Sequence, residues 1–270
     1  MIPYLRKNKI LDELEKKEIV YLEHFIDIMQ DVSESTIRRD LKILANEGKI
    51  VLLHGGAIKL KKNSKEVPVI SKKFMNVKQK EKIAKYAASL VQNGETIYID
   101  SGTTTGLMVK YLKNKDITII TTNIHIVNQL EDTKFECILI GGEIIKNLGS
   151  TVGSLTDRQL DEFHFNKAFI GANGCSEATG ISTYDLRETS KKRIVKKNSD
   201  NSYVLLDSTK IGNNAVCKVF EINEVNILTD KINDALKKFE NFIVVWEYSN
   251  SGINSIKLIN ESIHNFVRTL

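Results

Sequence analysis

The feature that most constrains this chain is a series of short, nearly unbroken apolar runs, each ending in small or polar residues. They are TIYID (96–100), ITIITTN (117–123), CILIGG (137–142), AFIGANG (168–174), YVLLDSTK (203–210) and NILTD (226–230). A strand with one face in water alternates apolar and polar residues; these do not, so both of their faces are expected to be covered. Helical stretches separate most of them, which predicts a mostly parallel α/β sheet with helices on both sides. One such helix is expected in NVKQKEKIAKYAASLVQNGET, with Ile83, Ala84, Ala87 and Leu90 inward and its end at Gly94.

Ligands of open parallel sheets bind beyond the carboxyl ends of the strands. That rule selects Asp100, Ser101, Gly102, Thr103, Thr104 and Thr105, then Thr122 with Asn123, Gly141 with Gly142, Gly171, Ala172 and Asn173, and Asp207 with Lys210. SGTTT suits a phosphate, since small residues leave backbone N–H groups exposed and threonines add hydroxyl donors. The Walker lysine is missing, so a nucleoside triphosphate is not expected. An ordinary βα turn accounts for such a string equally well; several polar strand ends on one edge predict a pocket.

The first sixty residues follow a different pattern. YLRKNKILDELEKK carries Leu5, Ile10, Leu11 and Leu14 at helical spacing, and Leu22, Phe25, Ile26 and Met29 fit a short second helix. QDVS supplies a turn, Ser33 an N-cap with Glu34 at the positive end of a third helix, and Gly48 its stop. At 100° per residue, Ile37, Leu41 and Leu44 share one stripe of that helix. Ser35, Arg39, Lys42 and Asn46 lie opposite, with Arg38 and Thr36 on the flanks. A solvated face explains any isolated helix of this kind. Preceded by a helix and a tight turn, it reads instead as the recognition helix of a helix-turn-helix, its hydroxyl, amide and guanidinium groups suited to base edges and phosphates. KIVLLHGGAIKL then predicts a hairpin wing turning at the Gly pair, where His54 either touches a phosphate or pins the turn.

KLKKNSKEVPVISKK, residues 59–73, is polar and lysine-rich, as an exposed connector would be. The expected organisation is a winged helix-turn-helix over 1–60, a linker over 61–74 and an α/β domain over 75–270. With 270 residues the chain is long enough for both. Its net charge of +5 permits an anionic partner without demanding one. Cys137, Cys175 and Cys217 match no metal spacing, and no run is long and apolar enough for a membrane span, so neither metal, disulfide nor membrane is expected and a reduced cytoplasmic setting is. The last residues, NSIKLINESIHNFVRTL, put Ile256, Leu258, Ile259, Ile263 and Phe266 near one face of an expected helix.

VSESTIRRDLKILANEGKI followed by HGGA resembles the DNA-binding signature of the DeoR family of bacterial transcriptional regulators. One departure is Leu52, where the family usually carries an arginine two residues before the turn, so the wing is expected to make one phosphate contact fewer. From Lys80 to Asp230, IDSGTTT, TTN, IGGEI, AFIGANG, RETSKKR and LLDSTKIG resemble the family's effector-sensing domain, which is itself similar to ribose-5-phosphate isomerase. The resemblance implies a homo-oligomeric (dimeric or tetrameric) repressor of sugar metabolism genes. It would bind double-stranded operator DNA and a phosphorylated sugar effector, with no cofactor. It further implies that Asp100 to Thr105 hold phosphate or backbone, that Asn123 and Asn173 address hydroxyls, and that Asp185, Glu188, Lys192 and Lys210 are charged partners of the ligand. Asp185 and Glu188 are equally placed as first-turn acids of the DLRETSKKRIV helix. Two rivals stand beside this reading: a sugar-phosphate isomerase-like activity using Asp185, Glu188 and Lys192, and an adaptor whose winged helix grips a protein.

Overall fold

A computed structural model of the chain describes residues 2–17, 19–47, 49–60, 68–232, 236–245 and 257–258. It divides into two compact units, Met1–Glu66 and Val67–Leu270. The amino-terminal unit runs α1 (Pro3–Lys16), β1 (Val20–Tyr21), α2 (Leu22–Ile28), α3 (Glu34–Asn46), β2 (Ile50–Leu52) and β3 (Ala57–Leu60). Ile10 and Leu14 of α1, Phe25 and Met29 of the second helix and its turn, and Ile37, Leu41 and Leu44 of α3 close on one core. These are the stripes that helical spacing marks, except that Leu5 of α1 is exposed. The wing forms as expected: β2 pairs antiparallel with β3, Ile50 opposite Leu60 and Leu52 opposite Ile58. Gly55 and Gly56 both take φ +73° in its turn, a conformation that strains residues with a Cβ. β1 adds a third strand on the far side of β3.

One local expectation changes. Ser33 holds the N-cap position of α3, yet its Oγ makes no bond to the helix backbone; it turns to the Ser35 and Thr36 hydroxyls at 3.1 and 2.9 Å. The helix stop assigned to Gly48 lies outside the described residues.

The second unit begins with α4 (Val69–Lys72), so part of the stretch expected as linker is helical and tied down by the Val69 N–H to the Asn147 carbonyl at 2.8 Å. Residues 61–67 of that stretch lie outside the described residues. Next come α5 (Val77–Ser89), β4 (Thr96–Ile99), α6 (Thr103–Gly106), α7 (Val109–Leu112), β5 (Thr118–Thr121), β6 (Glu136–Leu139), β7 (Glu143–Ile145), β8 (Ser150–Val152) and α8 (Ser154–Asp161). They are followed by β9 (Phe165–Gly171), β10 (Gly174–Ser176), β11 (Gly180–Thr183), α9 (Leu186–Lys197), β12 (Ser199–Leu205), β13 (Cys217–Phe220), β14 (Asn226–Thr229), β15 (Phe242–Val244) and β16 (Lys257–Leu258). α5 ends at Ser89 rather than Gly94, because the chain tightens there into turns closed by Leu90 N–H to Ala87 O and Val91 N–H to Ala88 O.

The main sheet has the order β16-β15-β14-β12-β9-β4-β5-β6, parallel throughout except for β16. Its runs are apolar without alternation because successive residues enter different cores. Tyr98, Ala168, Ile170 and Val204 face Leu160 of α8 and Val195 of α9. Ile97, Ile99, Phe169 and Leu205 face Ile83, Ala84 and Ala87 of α5. Each such fully buried large side chain stabilises the fold by roughly 1.5–3 kcal/mol before entropy is counted. β6 breaks the expectation of covered strands: it is the sheet edge, and Glu136, Ile138 and Leu139 are exposed. After it the chain forms an antiparallel hairpin of β7 and β8, and later a small antiparallel sheet β10-β11-β13. The expected carboxy-terminal helix lies outside the described residues apart from Lys257–Leu258.

From β4 the chain proceeds to β5 and β6 on one side, whereas β9, β12, β14 and β15 build the other side. The strand order therefore reverses between β4 and β9, and their carboxyl ends flank the crevice that such a reversal opens.

Candidate functional site

Asp100 leaves β4 at this reversal point and bridges to its neighbour strand. Its Oδ2 accepts the Gly171 N–H at 2.9 Å and is ion-paired with Lys192 Nζ, while Oδ1 accepts the Ser101 N–H at 2.9 Å. α9 then supplies three charged groups to the same place. Lys192 Nζ lies 3.1 Å from Glu188 Oε2, and Lys191 Nζ lies 2.9 Å from Glu188 Oε1. Lys191 also donates to Ser150 Oγ at 2.7 Å and Thr122 Oγ1 at 3.0 Å, and sits 3.8 Å from Asp100 Oδ1. Ser150 Oγ donates to Glu188 Oε1 at 2.6 Å, and the Tyr98 hydroxyl meets Thr122 Oγ1 at 2.8 Å. Two carboxylates and two ammoniums are thus buried together with their charges balanced, which is the condition under which buried charge is tolerated.

The titration behaviour follows from that balance. Burial pushes the Glu188 carboxyl up, but the Lys191 and Lys192 ammoniums and the Ser150 hydroxyl outweigh it and hold the group well below the usual carboxylate range. Burial likewise pulls Lys192 down, and the Asp100 and Glu188 charges overcome it and raise the ammonium above its ordinary value. Tyr98 is driven far above its usual range, first by burial and then by the Asp100 charge.

Most of the other strand-end residues are engaged within the scaffold. Lys210 Nζ donates to the Ala172 carbonyl at 2.7 Å, and Gly102 packs against Gly171, a Cβ on Gly102 reaching Gly171 Cα at 3.6 Å. Thr122 belongs to the charged network, and Thr103 is half-buried at the start of α6. Thr104 is buried, and the Thr105 hydroxyl bonds the Asp100 and Gly102 carbonyls at 2.7 and 2.9 Å, so Thr105 holds the loop rather than offering a donor outward. Asn123 accepts the His125 N–H at 3.0 Å, and Asn173 accepts the Thr183 hydroxyl at 2.8 Å. Gly141 and Gly142 serve α8: the Gly141 carbonyl accepts Thr156 Oγ1 at 2.8 Å. A Cβ on Gly142, at φ +149°, would collide with Thr156 and stand 2.7 Å from the Val152 carbonyl. Asp185 caps α9 by accepting the Arg187 N–H at 2.8 Å and pairs with the Arg187 guanidinium at 2.8 Å, which also reaches Glu143 at 3.2 Å. Its carboxylate bonds Arg187 whereas that of Glu188 pairs with Lys191 and Lys192, so the two acids that the DLRETSKKRIV string offers as equivalents are not alike. Asp207 is buried, with Oδ1 bonded by Asn76 and Thr209.

Sequence reasoning missed Lys191, Tyr98 and Ser150. Lys191 had a signal, since it stands three residues after Glu188 where helical neighbours meet. Ser150 had none, as its place depends on how the β7–β8 hairpin folds back. Cys175 is buried and its thiol is pushed up to about 11 by burial, the property of a packing residue. A depression of about 450 Å³ lined by Lys196, Asp200, Asn201, Asn226 and Asn241 lies at the opposite, amino end of β12 and β14 and contains none of the residues above. Among the described residues no cluster of His, Cys, Asp and Glu could hold a metal ion, and no helix is long and apolar enough to cross a membrane.

In the amino-terminal unit, α3 presents Ser35, Arg38, Arg39, Lys42 and Asn46 to solvent, with Thr36 half-buried. Asp40 faces inward and is paired with Arg6 of α1 at 2.6 Å, so this acid is withdrawn from the outer face. Arg38 is engaged by Glu34 one turn earlier at 2.7 Å, with both groups exposed. Among the described residues Arg39 and Lys42 have no ion-pair partner. His54 lies in the wing turn with Gly55 and Gly56, and Leu52 is exposed on the strand leading into it.

Comparison with known proteins agrees with both halves. A DeoR-like helix-turn-helix domain matches residues 6–63, and a DeoR C terminal sensor domain matches residues 75–231. The HTH-type transcriptional regulator FruR of Bacillus subtilis is 34% identical over 225 residues, covering 83% of this chain and 89% of that protein. The lactose phosphotransferase system repressor of Lactococcus lactis is 36% identical over 210 residues (76% and 82% covered), and the glycerol-3-phosphate regulon repressor of Escherichia coli 32% identical over 230 residues (83% and 90%). Among solved structures, ribose 5-phosphate isomerase A of Methanocaldococcus jannaschii is similar over 50% of this chain and 55% of its own, at 23% identity and a TM-score of 0.38. With a helix-turn-helix unit and a sensor unit each matched in its own half, this chain belongs to the DeoR family of transcriptional regulators.

Proposed function

We propose that the protein is a cytoplasmic, homo-oligomeric repressor of sugar metabolism genes. It grips double-stranded operator DNA through α3 and the wing, and a phosphorylated sugar in the β4/β9 crevice releases it. The observation that carries the sensing half is the convergence of Asp100, Gly171, Glu188 and Lys192 at the point where the strand order reverses. Two relatives are named as repressors, one of a lactose phosphotransferase system and one of a glycerol-3-phosphate regulon. On this reading Asn173, Lys210 and the loop from Ser101 to Thr104, which follow β9, β12 and β4, would meet a hydroxylated anion at these strand ends.

The isomerase alternative fares less well on the same geometry. General acid–base catalysis near neutral pH needs a group that exchanges its proton there. Glu188 is held ionised with both oxygens engaged, and Lys192 is held protonated, so neither is poised for turnover. Incubation with pentose and hexose phosphates tests this directly, and isomer interconversion would overturn a sensor-only role.

For the whole proposal the test is a thermal-shift screen of phosphorylated sugars, followed by mobility shifts with the DNA upstream of the chain's own gene. A ligand raises the melting temperature progressively with its concentration and lowers operator affinity. No sequence-selective shift at moderate salt would favour the protein-binding adaptor instead.

A further inference from the structure

Asn76 stands immediately before α5, in the segment through which the chain enters the sensor unit. It adopts φ +51°, one of two described non-glycine residues with positive φ. Asparagine at a helix start ordinarily turns its side chain onto the helix backbone. Here that bond is absent, and the amide reaches across the fold to donate to Asp207 Oδ1 and Thr209 Oγ1, both at 3.0 Å. Its conformation is thus held by residues more than 130 positions away rather than by its own helix.

The far end of this tie lies just past the carboxyl end of β12, the strand beside β9. Asp207 follows β12, is 1% exposed, and opens the turn whose Lys210 reaches the Ala172 carbonyl beyond β9. Only one of its oxygens is engaged. Oδ2 is buried without a hydrogen-bond partner among the described residues, an arrangement that invites a donor. A hydroxylated ligand at this strand end offers that donor, and the charge it draws to Oδ2 weakens the bond that Oδ1 accepts from the Asn76 amide. In the segment that Asn76 anchors, Ile70 and Phe74 are 66% and 68% exposed, Val69 is buried, and the ties include the Val69 N–H to the Asn147 carbonyl and Lys80 Nζ to the Lys72 carbonyl.

We propose that Asn76 is a positioning residue for regulation, the contact through which occupancy of the crevice, sensed at Asp207, is passed to the segment leading to the DNA-binding unit. This rests on the crevice being the effector site. A ligand alters DNA binding only if it distinguishes two arrangements of that segment, and the Asn76–Asp207 bond, made or broken, supplies the two.

The test uses the full chain and the Asn76→Gly variant, in which glycine accepts the positive φ while the amide is lost. Operator affinity is measured by fluorescence anisotropy with and without glycerol 3-phosphate, fructose 1-phosphate and ribose 5-phosphate, and sugar binding separately by thermal shift. The variant is expected to bind the active sugar as the parent does and, with or without it, to bind DNA with the sugar-bound parent's affinity, so that the sugar's effect on DNA affinity falls from at least about tenfold to below about twofold. A parent-like effect overturns the proposal. If none of the three sugars shifts the parent's melting temperature, that counts against the functional reading, and a sugar-free measurement decides the tie. Hydrogen exchange of amides 70–77 should accelerate in Asn76→Gly and in Asp207→Asn, with no further acceleration in the double variant. Unchanged or additive rates overturn the proposal.

Discussion

Lys191 is fully buried and touches two carboxylates, two hydroxyls and a carbonyl, so it has the most to lose by substitution. Lys191→Met keeps the length of the side chain and removes the charge, leaving Asp100 and Glu188 with one ammonium between them. Removing one partner of a buried ionic group typically costs about 3–5 kcal/mol, because the remaining charge stays desolvated. The variant should therefore lower the urea midpoint of the sensor unit at pH 7 and leave that of the helix-turn-helix unit unchanged, an internal control that a general folding defect would not respect. The pH dependence has a definite sign. The folded protein holds Glu188 well below the ordinary value of 4.5, so its ionic stabilisation is complete above that pH and is lost as pH falls toward the folded value. Lys191→Met weakens the depression, and the gap between parent and variant should narrow steadily below about pH 4.5. A gap that widens in acid would mean that the network is not held by Glu188 in its charged form.

At the scale of elements, α3 was the most legible part of the chain, because the 3.6-residue period that hides Ile37, Leu41 and Leu44 is a local property. The strands were legible for a similar reason: runs without alternation belong to covered sheets. Their lateral order was not. β9 lies beside β4, and that pairing, which creates the crevice, joins residues about seventy positions apart through a bridge as specific as Asp100 to Gly171. Glu188 and Lys192 could be read as site residues, but that Glu188 pairs with Lys192 while Asp185 pairs with Arg187 depends on which face of α9 meets the sheet. On α3 itself, the structure separates two arginines that adjacency makes look alike. Arg38 is engaged by Glu34, whereas Arg39 projects from the face opposite the core. Arg39→Ala should cost about 1–3 kcal/mol on the operator and little on unrelated DNA, the mark of a lost base contact. Competition binding reads the ratio directly; equal losses on both DNAs would reassign Arg39 to the phosphate backbone.

On the scale of the whole molecule, a single winged helix covers about one half-site, which is too little surface for selective binding against a genome. In the homo-oligomer proposed above, the sensor units hold two heads together, so that the second binds at the local concentration set by its connection to the first. Such tethering raises affinity by about 10²–10⁴ over one head without any new contact. Deleting one half-site from the operator should remove that factor. It should also roughly halve the slope of log affinity against log salt, because each head brings its own phosphate contacts and releases its own counterions. The two readouts separate causes that affinity alone confounds. A loss of affinity with an unchanged salt slope would mean that one head makes all the contacts and that the deleted half-site acts through DNA shape. An unchanged affinity would mean that the chain binds operator as a single head, and the mechanism of release would have to lie within one polypeptide.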